Sequence, residues 1–298
     1  MRALTAAPYH RGVRLLLLIV LALSLSACDS GTSNAPADDD TPRIAALSPA
    51  IATTLQDLGL EDRIVARHGY DLTLDPEIAV AGDQNGLDYE TLLRTRPTHV
   101  LLDQSSREAP ARLTQLAGDR GFAINSIPML TLDETRAAIA QLATMFAVDD
   151  TLTPRLDAAL TPDARRAGVG RVLLLMSLDP PESLGPGSHH HEVLVAIGAT
   201  PAQTESDGWG PWARLDAEAL IKLAPDAIVL IRPDATPGET LEPIDTTFYE
   251  SLQLPAAASG RVALIDHADA LLPGSAAIRF AESLAGVLDA WTPDDTKR

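Results

Sequence analysis

The strongest constraint on the fold is an internal repeat with a constant offset. Residues 87–92 read LDYETL and residues 215–220 read LDAEAL, and a basic residue, a proline and an apolar segment follow each copy at equal spacing, 128 residues apart. Asp88 and Asp216 are favoured helix N-caps, and the glutamate two positions later suits the first turn of a helix. Capping explains these acids but not the equal spacing, so the pattern predicts two related halves.

Both halves alternate short apolar strands with amphipathic helices, which is typical of α/β layers built on parallel strands. The predicted strands are 43–47, 64–66, 99–102, 122–124, 171–176, 227–231 and 261–265. The predicted helices are 50–58, 110–117, 133–146, 192–197, 217–223 and 276–288, and the second of them is expected to end at Gly118. Pro154 and Pro162 interrupt the helical pattern between the halves.

The chain begins with a targeting signal. Residues 1–27 carry three arginines and no acid, and an apolar run at 15–23 precedes small residues and Cys28. This order is that of a secretory signal, and the run is shorter than the ~20 residues of a membrane-spanning helix. We therefore divide the chain into a signal peptide (1–27), a flexible tether (28–42), an N-terminal lobe (43–132), a helical linker (133–169), a C-terminal lobe (170–292) and a tail (293–298).

Composition and motifs exclude several classes of protein. The net charge of -18 argues against a nucleic-acid partner, since phosphate contacts need clustered Lys and Arg. A single cysteine excludes an intramolecular disulfide and a four-thiolate zinc site. Ser188 lacks the second glycine of a G-x-S-x-G motif, and neither H-E-x-x-H nor a glycine-rich phosphate loop occurs. We expect a binding protein with no cofactor of its own rather than an enzyme.

Several segments resemble one family. RIAALSP at 43–49 with LGLEDRIV at 58–65 resembles the start of the mature iron-complex- and cobalamin-binding proteins of ABC importers. GLDYE at 86–90 and DAEAL at 216–220, with their following prolines and strands, resemble the next motif of that family and its counterpart in the second lobe. The resemblance covers roughly residues 43–290 and implies a type III periplasmic-binding-protein fold, in which two related α/β lobes joined by a helical linker enclose a ligand cleft.

The resemblance also implies partners and a location. LSAC at 25–28 resembles a bacterial lipobox, which implies lipidation of Cys28 and anchoring to a bacterial membrane outside the cytoplasm, at the periplasmic face in a diderm. A plain signal peptide is the alternative. Glu90 and Glu218 match the glutamates that dock the family's monomeric proteins onto the permease, which works with an ATPase. The alternative is that both glutamates only favour the helix dipole.

A two-lobed α/β protein binds its ligand between the lobes, at the carboxyl ends of the strands. The loops at these ends supply the candidate contacts Ser48, His68, Tyr70, Gln84, Ser188, His189, His190, Trp209, Trp212, Asp266 and His267. Aromatic faces suit a flat macrocycle, and imidazole suits a metal. By resemblance, Tyr70 and Trp212 match aromatic ligand contacts of the family, and His189 and His190 are candidate ligands of a chelated metal; a His-rich polar loop is the alternative.

These residues favour a small metal chelate, cobalamin or heme, as the transported ligand. A ferric siderophore is usually anionic, and only Arg67 and Arg232 are placed to meet its charge. A bare divalent ion would need more His and carboxylate ligands in the first lobe than the sequence offers. A sensor or scavenger using the same cleft is the alternative to transport.

Overall fold

The structure is a computed structural model that describes residues 41–103, 108–233 and 245–292. The signal peptide, Cys28, nearly all of the tether and the tail lie outside the described residues. From Pro42 onward the described residues belong to one compact unit. In this part of the chain no helix has the length and apolar character needed to cross a membrane.

The first sheet has six strands, β1 (Ile44–Ala46), β2 (Ile64–His68), β3 (Ala79–Asp83), β4 (Gly86–Leu87), β5 (His99–Leu102) and β6 (Ala123–Ser126). Their order is β4-β3-β2-β1-β5-β6, and all neighbours are parallel except β3 and β4. The helices of this lobe are α1 (Pro49–Asp57), α2 (Tyr89–Arg94) and α3 (Ala111–Arg120), and a 3-10 turn covers Glu61–Arg63.

Two helices, α4 (Leu132–Met145) and α5 (Leu152–Ala159), and a 3-10 turn at Ala164–Val169 connect the lobes. Thr131 and Glu134 form a reciprocal capping box that starts α4. Pro154 is the third residue of α5, in the first turn where a missing N–H costs nothing, and Pro162 follows the end of that helix. The prolines thus delimit a second, shorter helix, as expected from the interrupted pattern.

The second sheet contains β7 (Arg171–Leu178), β8 (Pro181–Leu184), β9 (Thr200–Pro201), β10 (Trp212–Arg214), β11 (Ala227–Arg232) and β12 (Val262–Asp266). The order is β10-β8-β7-β11-β12, and β9 pairs with β7. Its helices are α6 (His189–Ala196), α7 (Ala217–Leu223), α8 (Thr247–Ser251), α9 (Pro255–Ala258) and α10 (Ala276–Trp291), with a 3-10 turn at Glu205–Asp207.

The predicted repeat is present in the hydrogen-bond register. Strand β1 pairs with β5 through Ile44 and His99, and β7 pairs with β11 through Val172 and Ala227. Each residue of the second pair lies 128 positions after its counterpart in the first. The two halves therefore share their central strand pairing, which confirms that they are related lobes.

The same offset relates the ends of these strands. The backbone N–H of Arg43 donates to Oγ1 of Thr98 at 2.9 Å, and the N–H of Arg171 donates to Oδ2 of Asp226 at 2.8 Å. Each arginine also donates from Nη2 to a backbone carbonyl at the end of the helix that precedes its partner strand. The repeat thus extends from the sequence motif to individual side-chain contacts.

The lobes are held together by a shared apolar core. Helix α10 packs against α1 of the first lobe, α5 of the linker and α6 of the second lobe. One continuous buried cluster includes residues from both sheets and from α10, among them Ile44, Ile51, Leu174, Val229, Phe280 and Leu284. Because apolar burial is the main stabilising term in folding, this core fixes the lobes more firmly than the linker alone could.

Three details differ from the sequence prediction. Helix α3 continues through Gly118 to Arg120 and ends at Gly121, whose φ of 79° provides the left-handed C-cap. Helix α6 begins at His189 rather than at Glu192, because Ser188 caps it by accepting from the N–H of His191. The sheets are mixed, since β4, β8 and β10 run antiparallel to their neighbours.

Candidate functional site

A cavity of about 430 Å³ opens at the carboxyl edge of the first sheet. It lies where β1, β2, β3 and β5 end, which is the edge at which α/β sheets bind ligands. Its polar and aromatic lining includes His68, Asp83, Gln84, Asn85, Tyr89 and Asp103. Two of the predicted contacts, His68 and Gln84, therefore share one cavity.

His68 and Tyr70 form a pair beside this cavity. The backbone N–H of Tyr70 donates to Nδ1 of His68 at 3.2 Å, and the two ring centroids are 5.7 Å apart. Tyr70 is 56% exposed, so its ring is accessible to a ligand despite the contact with His68. Burial lowers the pKa of His68, although Asp83 and Asp71 oppose this shift. The imidazole is therefore neutral at pH 7, with Nδ1 as acceptor and Nε2–H as donor.

Arg67 holds the loop that carries Tyr70. Its guanidinium donates to four backbone carbonyls, those of His68, Asp71, Pro76 and Ile78, at 3.1–3.3 Å. The side chain is only 9% exposed. The expectation that Arg67 could meet an anionic ligand is not supported by its contacts, because four of its five N–H donors are engaged in ordering residues 68–78.

Ser48 and Asp103 lie together at the ends of β1 and β5. Ser48 is buried and its hydroxyl hydrogen-bonds Asp103. Burial raises the pKa of Asp103, and the nearby Glu134 adds to the shift. Sequence reasoning missed Asp103, although its position directly after a buried strand was a usable signal.

The histidines at the start of α6 lie in the packing between α6 and α10. His189 is 8% exposed and His190 is 2% exposed, and their ring centroids are 3.8 Å apart. His190 donates from Nε2 to the carbonyl of Ala270 at 3.0 Å and meets the ring of Phe280 edge-on. Burial lowers the pKa of His190 to about 4 and that of His189 well below its usual value. Both imidazoles are thus neutral groups of the interior.

Ser188 is engaged in the same turn. Its hydroxyl donates to the carbonyl of Gly185 at 2.8 Å and accepts from the N–H of His191. The hydroxyl therefore has a complete structural role as the N-cap of α6, which is a sufficient reason for a serine at this position.

Asp266 and His267 end β12 and begin the segment that leads to α10. Nδ1 of His267 donates to Oδ1 of Asp269 at 2.6 Å. In the part of the chain that the structure describes, Oδ1 of Asp266 and Nε2 of His267 are buried without a hydrogen-bond partner. Unpaired buried polar atoms are costly, so these two atoms are candidates for a bound water or ligand.

The two predicted tryptophans differ in environment. Trp209 packs on the apolar cluster of the second lobe, and Nζ of Lys222 lies 5.6 Å from its ring centroid. Trp212 begins the edge strand β10 and is 65% exposed. Of the two, only Trp212 presents a free aromatic face.

Glu90 and Glu218 occupy equivalent places. Each is the second residue of its helix, α2 or α7, and each is exposed. The N-cap aspartates accept from backbone N–H groups in both helices, Asp88 from Glu90 and Thr91 and Asp216 from Ala219. Across the described ranges, neither glutamate takes part in an ion pair.

Within residues 41–103, 108–233 and 245–292, no three His, Cys, Asp or Glu side chains are grouped closely enough to hold a metal ion. The geometry offers instead a polar cavity with an exposed tyrosine at its edge.

Comparison with known proteins places the chain in a family. A model of the family described as periplasmic binding protein matches residues 44–268, so the chain belongs to that family. Membership implies an extracytoplasmic location, and the family and the structural neighbours are binding proteins. No curated protein matches the chain significantly in sequence.

Several solved structures share the fold. The periplasmic heme-binding protein HutB of Vibrio cholerae has a TM-score of 0.63 at 20% identity, over 83% of this chain and 98% of that one. The vitamin B12-binding protein BtuF of Vibrio cholerae has a TM-score of 0.57 at 18% identity, over 84% and 97%. A possible iron-binding periplasmic protein of Staphylococcus epidermidis has a TM-score of 0.59 at 18% identity, over 83% and 98%. These likenesses establish the two-lobed fold.

Proposed function

We propose that the protein captures a metal chelate, heme or cobalamin, and delivers it as a lipid-anchored monomer to an ABC permease. The observation that carries this proposal is the exposed Tyr70 beside the neutral His68 at the cavity of the first lobe. A phenolate can be an axial ligand of heme iron, and a neighbouring N–H donor stabilises its charge. His68 supplies such a donor at Nε2, because its Nδ1 accepts from the backbone.

Two exposed aromatic residues among the predicted contacts, Tyr70 and Trp212, distinguish heme from cobalamin as the ligand. If the ligand is heme, Tyr70 makes the main contact. If the ligand is cobalamin, Trp212 makes it, because its open face can cover a corrin ring. The solved structures that share the fold include proteins described as heme-binding and as vitamin B12-binding, so the fold is compatible with either ligand. His189 and His190 take no part in this proposal, because both are buried and their rings contact each other and Phe280.

A ferric siderophore is the alternative ligand within the family. The sequence offered two arginines, Arg67 and Arg232, for an anionic chelate. Because Arg67 bonds to its own loop, only Arg232, at the end of β11, remains of these two. An anionic siderophore is therefore less well supported than a ligand bound through aromatic contacts.

An absorbance titration separates these ligands. The chain from residue 28 onward, carrying Cys28→Ser, is titrated with hemin and with cyanocobalamin. We expect hemin to give a shifted Soret band that is lost in Tyr70→Phe, a change that removes only the phenol oxygen. Cobalamin binding lost in Trp212→Ala would identify the other ligand. Phe248→Ala, an exposed aromatic change elsewhere, is the control and should alter neither titration.

Binding of neither ligand would contradict the proposal. A titration with a ferric catecholate, in wild type and Arg232→Gln, would then test the siderophore alternative. Uptake of the bound chelate by cells lacking the protein, with and without the gene restored, distinguishes transport from sensing or scavenging.

Docking on the permease is proposed to use Glu90 and Glu218. Two exposed carboxylates at equivalent positions of the two lobes suit recognition by guanidinium groups. Glu90→Gln and Glu218→Gln should each weaken binding to the permease in detergent while leaving ligand titrations unchanged. Glu282→Gln, an exposed glutamate on α10, is the matched control. Equal permease binding by all three variants would leave the two glutamates with helix-dipole roles only.

Anchoring is proposed to depend on the Cys28 thiol. In cell fractions, the wild-type chain should sediment with membranes, and metabolic labelling with a fatty acid should mark it. The Cys28→Ser chain should lose the label. A wild-type chain released into the soluble fraction without label would show that residues 1–27 act as a plain signal peptide.

A further inference from the structure

A second cavity, of about 400 Å³, opens at the opposite edge of the first sheet, beside the amino ends of β5 and β6. Its lining includes Arg96, Thr98, Arg120, Gly121 and Phe122. Two exposed guanidinium groups thus face one opening, and none of its lining residues is acidic. This is unexpected in a chain with a net charge of -18.

The arginines around this cavity are not neutralised within the protein. None of the ion pairs between described residues includes Arg43, Arg96 or Arg120. Arg43 instead donates to the carbonyls of Thr95 and Arg96 at 2.7 and 3.1 Å, which ties the first strand to the rim of the cavity. The cavity is therefore positively charged.

The internal repeat provides a comparison within the molecule. At the offset of 128 residues, Arg43 corresponds to Arg171 and Thr98 corresponds to Asp226. In the second lobe Nε of Arg171 lies 4.0 Å from Oδ2 of Asp226, so that arginine has a carboxylate partner. In the first lobe the carboxylate is replaced by a hydroxyl. The positive charge is thus a property of one lobe and not of the repeated fold.

Backbone geometry does not account for Arg96. Its φ is 48°, in the left-handed region that side chains rarely adopt, and its counterpart Ala224 has a φ of 37°. Both residues directly precede the repeated proline. The turn therefore requires this conformation in both lobes and accepts alanine, so the arginine side chain needs a separate explanation.

We propose that the cavity lined by Arg96 and Arg120 binds a phosphate group, and that its source is the headgroup of an anionic phospholipid. Guanidinium groups match phosphate oxygens in geometry and charge. The described chain starts beside this cavity, because Arg43 bonds to Thr98 and Arg96. Residues 28–42 extend to at most roughly 50 Å, so a chain anchored at Cys28 keeps the cavity close to the membrane.

Membrane contact at this edge leaves the ligand cavity accessible. Glu90 lies at the beginning of α2 and Arg96 follows the end of the same helix. The lipid site and the proposed docking residue are therefore at opposite ends of α2. The proposal that the phosphate belongs to a membrane lipid depends on the proposed anchor at Cys28. The proposal of a phosphate site depends only on the arginine-lined cavity.

Vesicle sedimentation tests the proposal with the chain from residue 28 onward carrying Cys28→Ser, so that no acyl chain contributes. We expect binding to vesicles containing phosphatidylglycerol and none to pure phosphatidylcholine. Arg96→Gln and Arg120→Gln should each weaken binding roughly fivefold, and added salt should weaken it further. Arg155→Gln, an exposed arginine of the linker, is the control and should bind as wild type does.

Calorimetry with inorganic phosphate distinguishes the two sources. If inorganic phosphate binds, if this binding is lost in the double variant Arg96→Gln/Arg120→Gln, and if vesicles do not bind, the phosphate site stands and the lipid source is overturned. Equal vesicle binding by wild type and the double variant, or no binding of either probe, would overturn the site. These measurements use neither an acylated chain nor a metal chelate. A negative result would therefore overturn the phosphate site without contradicting the proposed anchor or ligand. An unchanged circular dichroism spectrum shows that the variants fold.

Discussion

Nη1 of Arg279, on the last helix, donates to Oδ2 of Asp57 at the end of the first helix, at a distance of 2.9 Å. Arg279 also bonds Asp269, and Asp269 accepts from His267 at the end of β12. Burial would raise the pKa of Asp269, but hydrogen bonds from His267 and Arg279 outweigh it and hold the pKa at about 2. These contacts join the end of β12 to α1 through one charged network.

Removing Arg279 should weaken the contact between the lobes. Arg279→Met leaves the carboxylates of Asp57 and Asp269 partly buried without a cation, and we expect a loss of about 2 kcal/mol or more in the free energy of unfolding. Urea denaturation measures this loss. Arg136→Met is the control, because its ion pairs with Asp133 and Asp157 are largely exposed and should contribute less than about 1 kcal/mol. Equal effects of the two changes would contradict the role of Arg279.

Gly274 allows the segment before α10 to approach α1 closely. Its φ is 78°, and an added Cβ would lie 2.7 Å from Oγ1 of Thr54 and 3.0 Å from Sδ of Met129. Gly274→Ala should therefore cost about 1–2 kcal/mol for the left-handed backbone and a further 1–3 kcal/mol or so for overpacking. Gly260→Ala is the matched control, since its φ is 66° and nothing lies within 4 Å of the added atom. Thermal unfolding of both variants should show the difference, and similar midpoints would argue against a close approach.

Acid should destabilise the protein through His190. Its pKa is about 4 in the folded state, below the ordinary value of 6.5, so between these values the unfolded chain binds more protons. Stability is fully present above pH 6.5 and is lost as the pH falls towards 4, by up to about 3 kcal/mol. Urea denaturation across this range should show the loss, and His190→Gln should reduce its slope. An NMR titration placing the His190 pKa near 6.5 would contradict this prediction.

Arg67 should control the order of the loop that carries Tyr70. Arg67→Met keeps the packing of the side-chain stem but removes the guanidinium donor from the carbonyls of residues 68, 71, 76 and 78. We expect faster amide exchange over residues 69–78 and roughly tenfold weaker ligand binding. Arg67→Lys should restore little, because an ammonium group lacks the fixed fork of donors. An unchanged exchange pattern in Arg67→Met would show that the loop is ordered by other contacts.

Local signals in the sequence predicted much of the fold. The helix starts at Asp88 and Asp216 follow from capping chemistry, and apolar runs predicted the parallel strands at the centre of each sheet. Strands β8 and β10 were not predicted, because an antiparallel edge depends on pairing with residues distant in the sequence, such as Trp212 with Leu184. The predicted helix end at Gly118 is wrong, because a glycine inside a helix gives the same sequence signal as a glycine that ends one.

The candidate site was less predictable than the fold. The position of His68 and Gln84 at a strand end followed from topology, and the structure brings both to one cavity. Nothing near residues 188–191 indicates that Phe280, some 90 positions later, covers His190. The role of Arg67 was also not predictable from the sequence, because the conformation of a loop brings its four carbonyl acceptors together.

The shared core has a consequence for the ancestry of the chain. The equal register of the two sheets is the mark of a duplicated half, yet Ile51 and Leu55 of the first half are buried in a cluster that includes residues of the second. A single ancestral half would have lacked the cover that α10 and the second sheet now give this cluster, which favours pairing with another copy of itself. On this reasoning, the present molecule is a fused dimer, and after the fusion the equivalent positions of the two halves could change independently.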